Sequence, residues 1–98
     1  MFHKIKSVNA LSNYRLCVLF EEGITKIYDV KPLFAKWDCF KVLAEKPGLF
    51  SRVSVDIGGH GLVWNDELDL SCDELFVNGK TTNVPVDELE TDLATTGA

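Results

Sequence analysis

A histidine, a cysteine and five acidic residues lie close together in residues 58–76, GGHGLVWNDELDLSCDELF. His60 and Cys72 are the two side chains of this stretch that suit nucleophilic catalysis, and Cys39 is a second cysteine that could pair with His60. Cys72 would begin a helix, where the positive end of the helix dipole lowers the pKa of a thiol. No other feature of the sequence supports an active site, and buried thiols near helix starts are common. We therefore predict no catalytic residue.

The same stretch contains side chains that can bind metals, namely His60, Asp66, Asp69, Cys72 and Asp73. Structural zinc sites show paired ligands at short spacing, and calcium loops show a regular run of acids with a glycine. Neither pattern is present. The glycines of residues 58–61 do not resemble a phosphate loop, because such a loop leads into a helix and an apolar, strand-like segment follows here. The sequence predicts a hairpin turn at these glycines, with no metal and no cofactor.

The segment LSCDEL, residues 70–75, has the pattern of a helix start. Ser71 as N-cap and Glu74 three residues later form a capping box, in which each side chain accepts a hydrogen bond from the other residue's backbone N–H. Leucines on either side of the cap occupy the hydrophobic-staple positions. Gly79 follows as a typical helix end. We predict a short helix over residues 72–77.

Apolar segments predict the strands. They are residues 5–11, 14–20, 24–28, 51–57 and 62–64. The alternation in SRVSVDI is the clearest, because Val53, Val55 and Ile57 would all point to one face of a half-buried strand. Gly23 is free to adopt a positive φ in the turn between the second and third segments.

Helices are predicted between the third and fourth of these segments. Asp29 can cap a short helix with Pro32 in its first turn, where the missing N–H of proline costs nothing. Asp38 is a second plausible N-cap, and Pro47 with Gly48 ends the helical pattern. The sequence leaves open whether this region is two helices or one broken helix.

These elements predict an α+β fold: an antiparallel sheet of about five short strands with two or three short helices, in a single domain. The domain covers residues 1–79, and a polar, acidic tail covers residues 80–98. Trp37 and Trp64 are interpreted as packing residues. The expected core is Leu16, Val18, Phe20, Phe50, Val53, Val55, Trp64 and Leu75. Asp69 is expected to accept a hydrogen bond from a backbone N–H near Ser71 or from a side chain.

The composition of the chain argues against several classes of function. The chain of 98 residues has a net charge of −5, which opposes binding to nucleic acid because that requires a basic face. No apolar run approaches the ~20 residues of a membrane-spanning helix, and the N-terminus lacks the apolar core of a signal peptide. Three cysteines, an odd number, favour reduced thiols over a disulfide framework. We expect a cytoplasmic protein that binds neither membranes nor nucleic acid.

The stretch WNDELDLSCDELF, residues 64–76, resembles the closing signature of a small bacterial family of unknown function, number twenty-four forty-two in its series. The residues that carry this signature are Trp64, Leu68, Asp69, Leu70, Ser71, Asp73, Glu74, Leu75 and Phe76. YRLCVLFEEG, residues 14–23, resembles the early hairpin of the family, and the similarity covers about residues 4–78. Two residues depart from the family pattern: Glu67 replaces a usual glycine, and Cys72 replaces a frequent proline. Both fit the same backbone.

The resemblance implies a fold more than an activity. Such domains are similar to the antitoxin-like halves of bacterial toxin–antitoxin gene pairs, and some precede a helix-turn-helix domain. Two DNA-reading helices need more chain than the polar tail after Gly79 offers, so we expect no direct binding to nucleic acid. The resemblance implies a protein partner, such as a small basic, toxin-like protein.

The primary hypothesis is therefore a non-enzymatic module that binds a protein. The acidic residues expected to contact the partner are Asp66, Glu67, Asp87, Glu88 and Glu90. Two alternatives remain open. One is a small ligand-binding or enzymatic domain that uses the loop around His60 and Cys72. The other is a structural domain that forms a homodimer through an exposed edge strand.

Overall fold

The computed structural model of the protein describes residues 3–82. The strands are β1 (Ile5–Leu11), β2 (Arg15–Phe20), β3 (Thr25–Asp29), β4 (Ser54–Val55), β5 (Gly61–Asn65), β6 (Leu68–Ser71) and β7 (Lys80–Thr81). The α-helices are α1 (Lys31–Lys36), α2 (Asp38–Glu45) and α3 (Cys72–Asn78), and single 3₁₀ turns cover Ser12–Tyr14 and Phe50–Arg52. None of the helices within residues 3–82 has the length and apolar character needed to cross a membrane.

The first sheet is an antiparallel meander of β1, β2 and β3, with β7 added beside β3. The turn between β2 and β3 contains Gly23, whose φ of 91° confirms the predicted left-handed conformation. The sequence does not predict β7, because two polar residues after a helix carry no strand pattern. The remainder of the predicted tail, residues 83–98, lies outside the described residues.

The second sheet consists of β4, β5 and β6, again antiparallel. The two sheets meet at the start of β1, where the Ile5 N–H donates to the Gly59 carbonyl at 2.8 Å. The α+β class is confirmed. The single sheet of about five strands is corrected to two sheets, of four and three strands, within the described part of the chain.

The segment SRVSVDI, residues 51–57, contradicts the prediction of a seven-residue strand. Only Ser54–Val55 pairs as a strand. The residues before it form the 3₁₀ turn Phe50–Arg52. The buried Trp64 indole N–H donates to the carbonyl of Phe50 at 3.1 Å, and this long-range hydrogen bond favours a turn over a strand there.

The end of the same segment also differs from the prediction. Ile57 is 99% exposed instead of pointing into the core. The chain reverses direction immediately after Asp56, whose carbonyl accepts a hydrogen bond from the Gly59 N–H at 3.1 Å. Gly58 and Gly59 have φ values of 91° and 74°, which confirms the predicted hairpin turn. Alternation of residue types alone therefore overestimates the strand.

Helices α1 and α2 are separate, because Trp37 between them is extended (φ −136°, ψ 123°). The prediction of Asp29 as the N-cap of α1 is wrong by one residue, since Val30 occupies that position without a side-chain cap; Asp29 lies just before it, and its Oδ1 accepts the Lys31 backbone N–H at 3.0 Å. Pro32 lies in the first turn of α1. The prediction that Asp38 is the N-cap of α2 is wrong, since Trp37 occupies that position and Asp38 is the first helical residue.

One hydrophobic core joins both sheets and all three helices. Its buried residues include Leu16, Val18, Phe20, Leu33, Phe40, Leu43, Phe50, Leu62, Trp64, Leu70 and Leu75. Six of the eight predicted core residues are therefore confirmed. Val53 and Val55 are only partly buried, because the strand that would have turned them inward is two residues long.

Helix α3 begins directly at the end of β6. Ser71 Oγ accepts the Glu74 backbone N–H at 3.1 Å, which confirms Ser71 as the N-cap. The reciprocal half of the capping box is not formed, because the Glu74 carboxylate accepts hydrogen bonds from Tyr28 and Asn78 instead. The observed helix, Cys72–Asn78, agrees with the predicted one.

The end of α3 depends on a close approach at Gly79. Its N–H donates to the Leu75 carbonyl at 2.9 Å, and its φ of −73° is not the left-handed value of a typical glycine cap. A Cβ on Gly79 would lie 2.5 Å from the Leu75 oxygen and 3.1 Å from Lys26 Cβ. Glycine is required here because the chain passes so close to the Leu75 carbonyl of α3, and the contact with Lys26 of β3 tightens the site further.

Replacing Ser71 by alanine removes the oxygen that accepts the Glu74 N–H. We predict that Ser71→Ala lowers the free energy of unfolding by about 1 kcal/mol, measured by urea denaturation. Ser71→Thr retains a capping oxygen and should unfold close to the wild type. Ser51→Ala, at an exposed serine of the Phe50–Arg52 turn, is the control. An unchanged midpoint for Ser71→Ala would contradict the capping role.

Candidate functional site

A cleft of about 380 Å³ lies between the start of α2 and strand β6. Its volume falls within the range of ~300–1,000 Å³ that is usual for ligand clefts. The residues that line it are Trp37, Cys39, Phe40, Glu67, Leu68, Asp69, Leu70, Ser71 and Glu74. Four of the sequence-predicted residues, Glu67, Asp69, Ser71 and Glu74, are thus brought together in one place.

Among residues 3–82, three carboxylates line this cleft and no basic residue does. Glu67 lies in the turn between β5 and β6, where its backbone N–H donates to Asn65 Oδ1 at 2.9 Å. Asp69 lies on β6 with its side chain exposed, and Glu74 lies in the first turn of α3. The β5–β6 turn, strand β6 and the start of α3 therefore create a surface of negative potential beside an apolar wall.

Trp37 forms the aromatic wall of the cleft. It is 44% exposed, whereas Trp64 is 6% exposed in the core. The interpretation as a packing residue is therefore confirmed for Trp64 and only partly correct for Trp37. The ring of Trp37 already accepts a cation, since Lys36 Nζ lies 4.5 Å from its centroid. An exposed indole next to carboxylates is a surface suited to a positively charged group.

Glu74 is held in place by two hydrogen bonds. Its Oε2 accepts from the Tyr28 hydroxyl at 2.8 Å and from Asn78 Nδ2 at 2.9 Å. Burial of Tyr28, followed by its hydrogen bond to Glu74, raises the pKa of the Tyr28 phenol above its usual value. The phenol thus remains a donor, and Glu74 presents a fixed carboxylate to the cleft. Sequence spacing gives no signal for a contact across 46 positions.

Other predicted residues lie apart from this cleft or behave differently. Asp69 does not accept the expected local hydrogen bond, because the residue is exposed and no residue within 3–82 donates to its carboxylate. Asp66 and Asp73 are exposed and do not line the cleft. The remaining predicted partner-binding residues, Asp87, Glu88 and Glu90, lie outside the described residues.

Cys72 lacks the exposure and the lowered pKa of an activated nucleophile. It is buried, and its Sγ donates to the His3 carbonyl at 3.0 Å. Burial raises the pKa of the Cys72 thiol, and the carboxylates of Asp73, Glu22 and Asp56 raise it further. Burial and the nearby carboxylates raise the thiol pKa by more than the helix dipole lowers it. The depressed pKa expected for a thiol at a helix start is therefore not found.

His60 and Cys72 are linked through the main chain. The Cys72 N–H donates to the His60 carbonyl at 2.9 Å, a hydrogen bond that a proline at this position could not make. The His60 backbone N–H donates to Asp56 Oδ1 at 2.7 Å, which fixes the hairpin loop. Within residues 3–82, no group of three or more potential ligand side chains has the geometry of a metal site.

Comparison with known proteins places the chain in a family. The sequence profile of the family described as "Protein of unknown function (DUF2442)" matches residues 5–81. The chain belongs to this family. The match ends at Thr81, so it includes strand β7 as well as the signature residues around Ser71. No curated protein and no solved structure matches the chain.

The state of the thiols distinguishes a structural Cys72 from a reactive one. Because Cys39 is exposed whereas Cys17 and Cys72 are buried, we predict that one thiol of the native protein reacts rapidly with Ellman's reagent. Cys39→Ser should remove that rapid phase. The Cys39→Ser variant should react only slowly, through its buried thiols. Because the pKa of Cys72 is raised, its thiolate still increases at high pH, and the rate of this slow reaction should continue to rise above pH ~8.5, the ordinary thiol pKa. Rapid labelling of Cys72 in Cys39→Ser would contradict this assignment.

Proposed function

We propose that this protein is a non-enzymatic binding module that holds a basic segment of a partner protein in the cleft beside β6. The observation that supports it is the composition of that cleft: Glu67, Asp69 and Glu74 line it together with the exposed Trp37, and no basic side chain within residues 3–82 does. Carboxylates and an aromatic face are the groups that attract lysine and arginine side chains.

The charge of the whole chain supports the same kind of partner. A net charge of −5 attracts a basic protein over distance and accelerates its encounter with the cleft. This attraction weakens as salt reduces the Debye length, which is about 8 Å at physiological ionic strength. The further proposal that the partner is a small, toxin-like protein, with this chain as its antitoxin-like half, is supported by the family resemblance.

The alternative functions have less support. An enzyme that uses Cys72 would need a thiolate, whereas this thiol is buried and its pKa is raised. A homodimer formed at the cleft would bring the carboxylates of Glu67 and Asp69 against another acidic chain, and like charges without partners disfavour association. A basic partner meets neither difficulty.

We expect the chain to co-purify with the protein encoded by the neighbouring gene when only one of the two carries an affinity tag. The double variant Glu67→Gln/Asp69→Asn should weaken this complex about tenfold, because each exposed ion pair contributes up to ~1 kcal/mol and 1.4 kcal/mol corresponds to a factor of ten. The matched control is Glu21→Gln/Glu45→Gln, which removes two exposed acids outside the cleft. The control should change affinity less than twofold.

Two outcomes would contradict the proposal. Equal weakening by both double variants would show that overall charge, and not this cleft, determines binding. A failure to form any complex at low salt, together with turnover of a small molecule by the isolated chain, would favour an enzyme instead.

A further inference from the structure

Strand β6 forms one edge of its sheet and borders the acidic cleft. The strand order is β4-β5-β6, so β6 pairs with β5 on one side only among residues 3–82. We propose that the basic segment of the partner binds in an extended conformation and pairs antiparallel with β6 as an additional strand. This inference rests on the proposed function, and it specifies how that partner is recognised.

The hydrogen-bonding pattern of the β5–β6 pair identifies which groups of β6 are free. Gly61 lies opposite Ser71, and the Cys72 N–H donates to the His60 carbonyl at 2.9 Å. Hydrogen-bonded and non-hydrogen-bonded pairs alternate along an antiparallel ladder. His60 and Cys72 are the neighbouring pair, and they are joined by a main-chain hydrogen bond. Gly61 and Ser71 are therefore a non-hydrogen-bonded pair.

Facing pairs alternate along an antiparallel ladder, which determines the next two pairs. Leu62 and Leu70 are hydrogen-bonded to each other, and Val63 and Asp69 are not. The N–H and C=O of Asp69 consequently point away from β5. Within residues 3–82, no other main-chain or side-chain group bonds them. Asp69 therefore presents one free donor and one free acceptor at the edge of the sheet.

This free edge and the cleft coincide. Successive residues of a strand point to opposite faces, and on β6 Leu68 and Leu70 are buried whereas Asp69 and Ser71 are exposed. All four residues nevertheless line the cleft. A cleft that contacts both sets of residues runs along the edge of the strand and not over one face. An extended segment in the cleft would thus meet the free N–H and C=O of Asp69.

The charges select a basic segment as the occupant. A residue that exchanges both main-chain hydrogen bonds with Asp69 lies directly opposite it, with its side chain on the same face of the sheet. An arginine at that position would face the carboxylates of Asp69 and Glu67, with Trp37 across the cleft. Opposite charges across a strand pair stabilise it, whereas like charges destabilise it. A second copy of this acidic chain fits the edge less well.

The pairing makes a specific prediction for backbone-methylated peptides. The probe is a labelled peptide of eight residues in which arginine alternates with valine, measured by fluorescence anisotropy at low salt. In the proposed complex the arginine N–H groups point to β6 and the valine N–H groups point away. N-methylation of the four arginines should weaken binding at least tenfold, and N-methylation of the four valines should change it less than twofold.

The two methylated peptides have the same charge and the same number of methyl groups, so they separate strand pairing from electrostatic attraction. Equal affinities for all three peptides would overturn strand pairing, while sensitivity to Glu67→Gln/Asp69→Asn would still support a basic ligand in the cleft. No saturable binding of the unmodified peptide, with the neighbouring protein still co-purifying, would likewise overturn strand pairing alone. If neither the peptide nor the neighbouring protein binds, both proposals are wrong.

Discussion

The structure depends on Ser71, which is at once the last residue of a strand and the cap of a helix. Ser71 lies opposite Gly61, where the backbones of β5 and β6 approach each other closely. A Cβ on Gly61 would lie 2.5 Å from the Leu70 carbonyl oxygen, so only glycine permits this approach. The Ser71 hydroxyl meanwhile accepts the Glu74 N–H at 3.1 Å. Because no loop separates β6 from α3, the direction of the strand fixes the start of the helix. A shift of register at β6 would displace everything that follows.

The consequences of this junction extend to the first sheet and to the cleft. Helix α3 reaches β3, where the Tyr28 hydroxyl bonds Glu74, and its end packs on Lys26 through Gly79. Lys26 Nζ in turn donates to the Phe76 carbonyl and lies 4.0 Å from the centroid of its ring. These contacts join the two sheets through one short helix. They also hold Glu74 at the cleft, so the acidic surface is a product of the same interactions that stabilise the fold.

Local chemistry explains which parts of this arrangement could be predicted. The cap at Ser71 and the left-handed turn at Gly23 are decided by residues within a few positions, so the sequence predicts both. Contacts between distant residues are not visible in the sequence. The hydrogen bond from Trp64 to Phe50 shortens the predicted strand over residues 51–57, and the bond from Tyr28 redirects Glu74 from the capping box. Among the residues of the candidate site, the sequence identifies Glu67 as an acid expected to contact a partner, and Asp69, Ser71 and Glu74 as signature residues of the family. Trp37 was not identifiable as a cleft residue, since its exposure depends on the break between α1 and α2.

The central claim is that β6 offers an unpaired edge at Asp69 to a basic strand. Amide hydrogen exchange, measured residue by residue by NMR, tests this claim most directly, because it reports the two edges of β6 separately. In the free protein the Leu70 amide, which faces β5, should be protected, and the Asp69 amide should exchange at nearly the rate of an unfolded chain. Saturation with the arginine–valine peptide should slow the exchange of Asp69 at least tenfold. An Asp69 amide that is already protected in the free protein, or that remains unprotected in the saturated complex, would contradict the account.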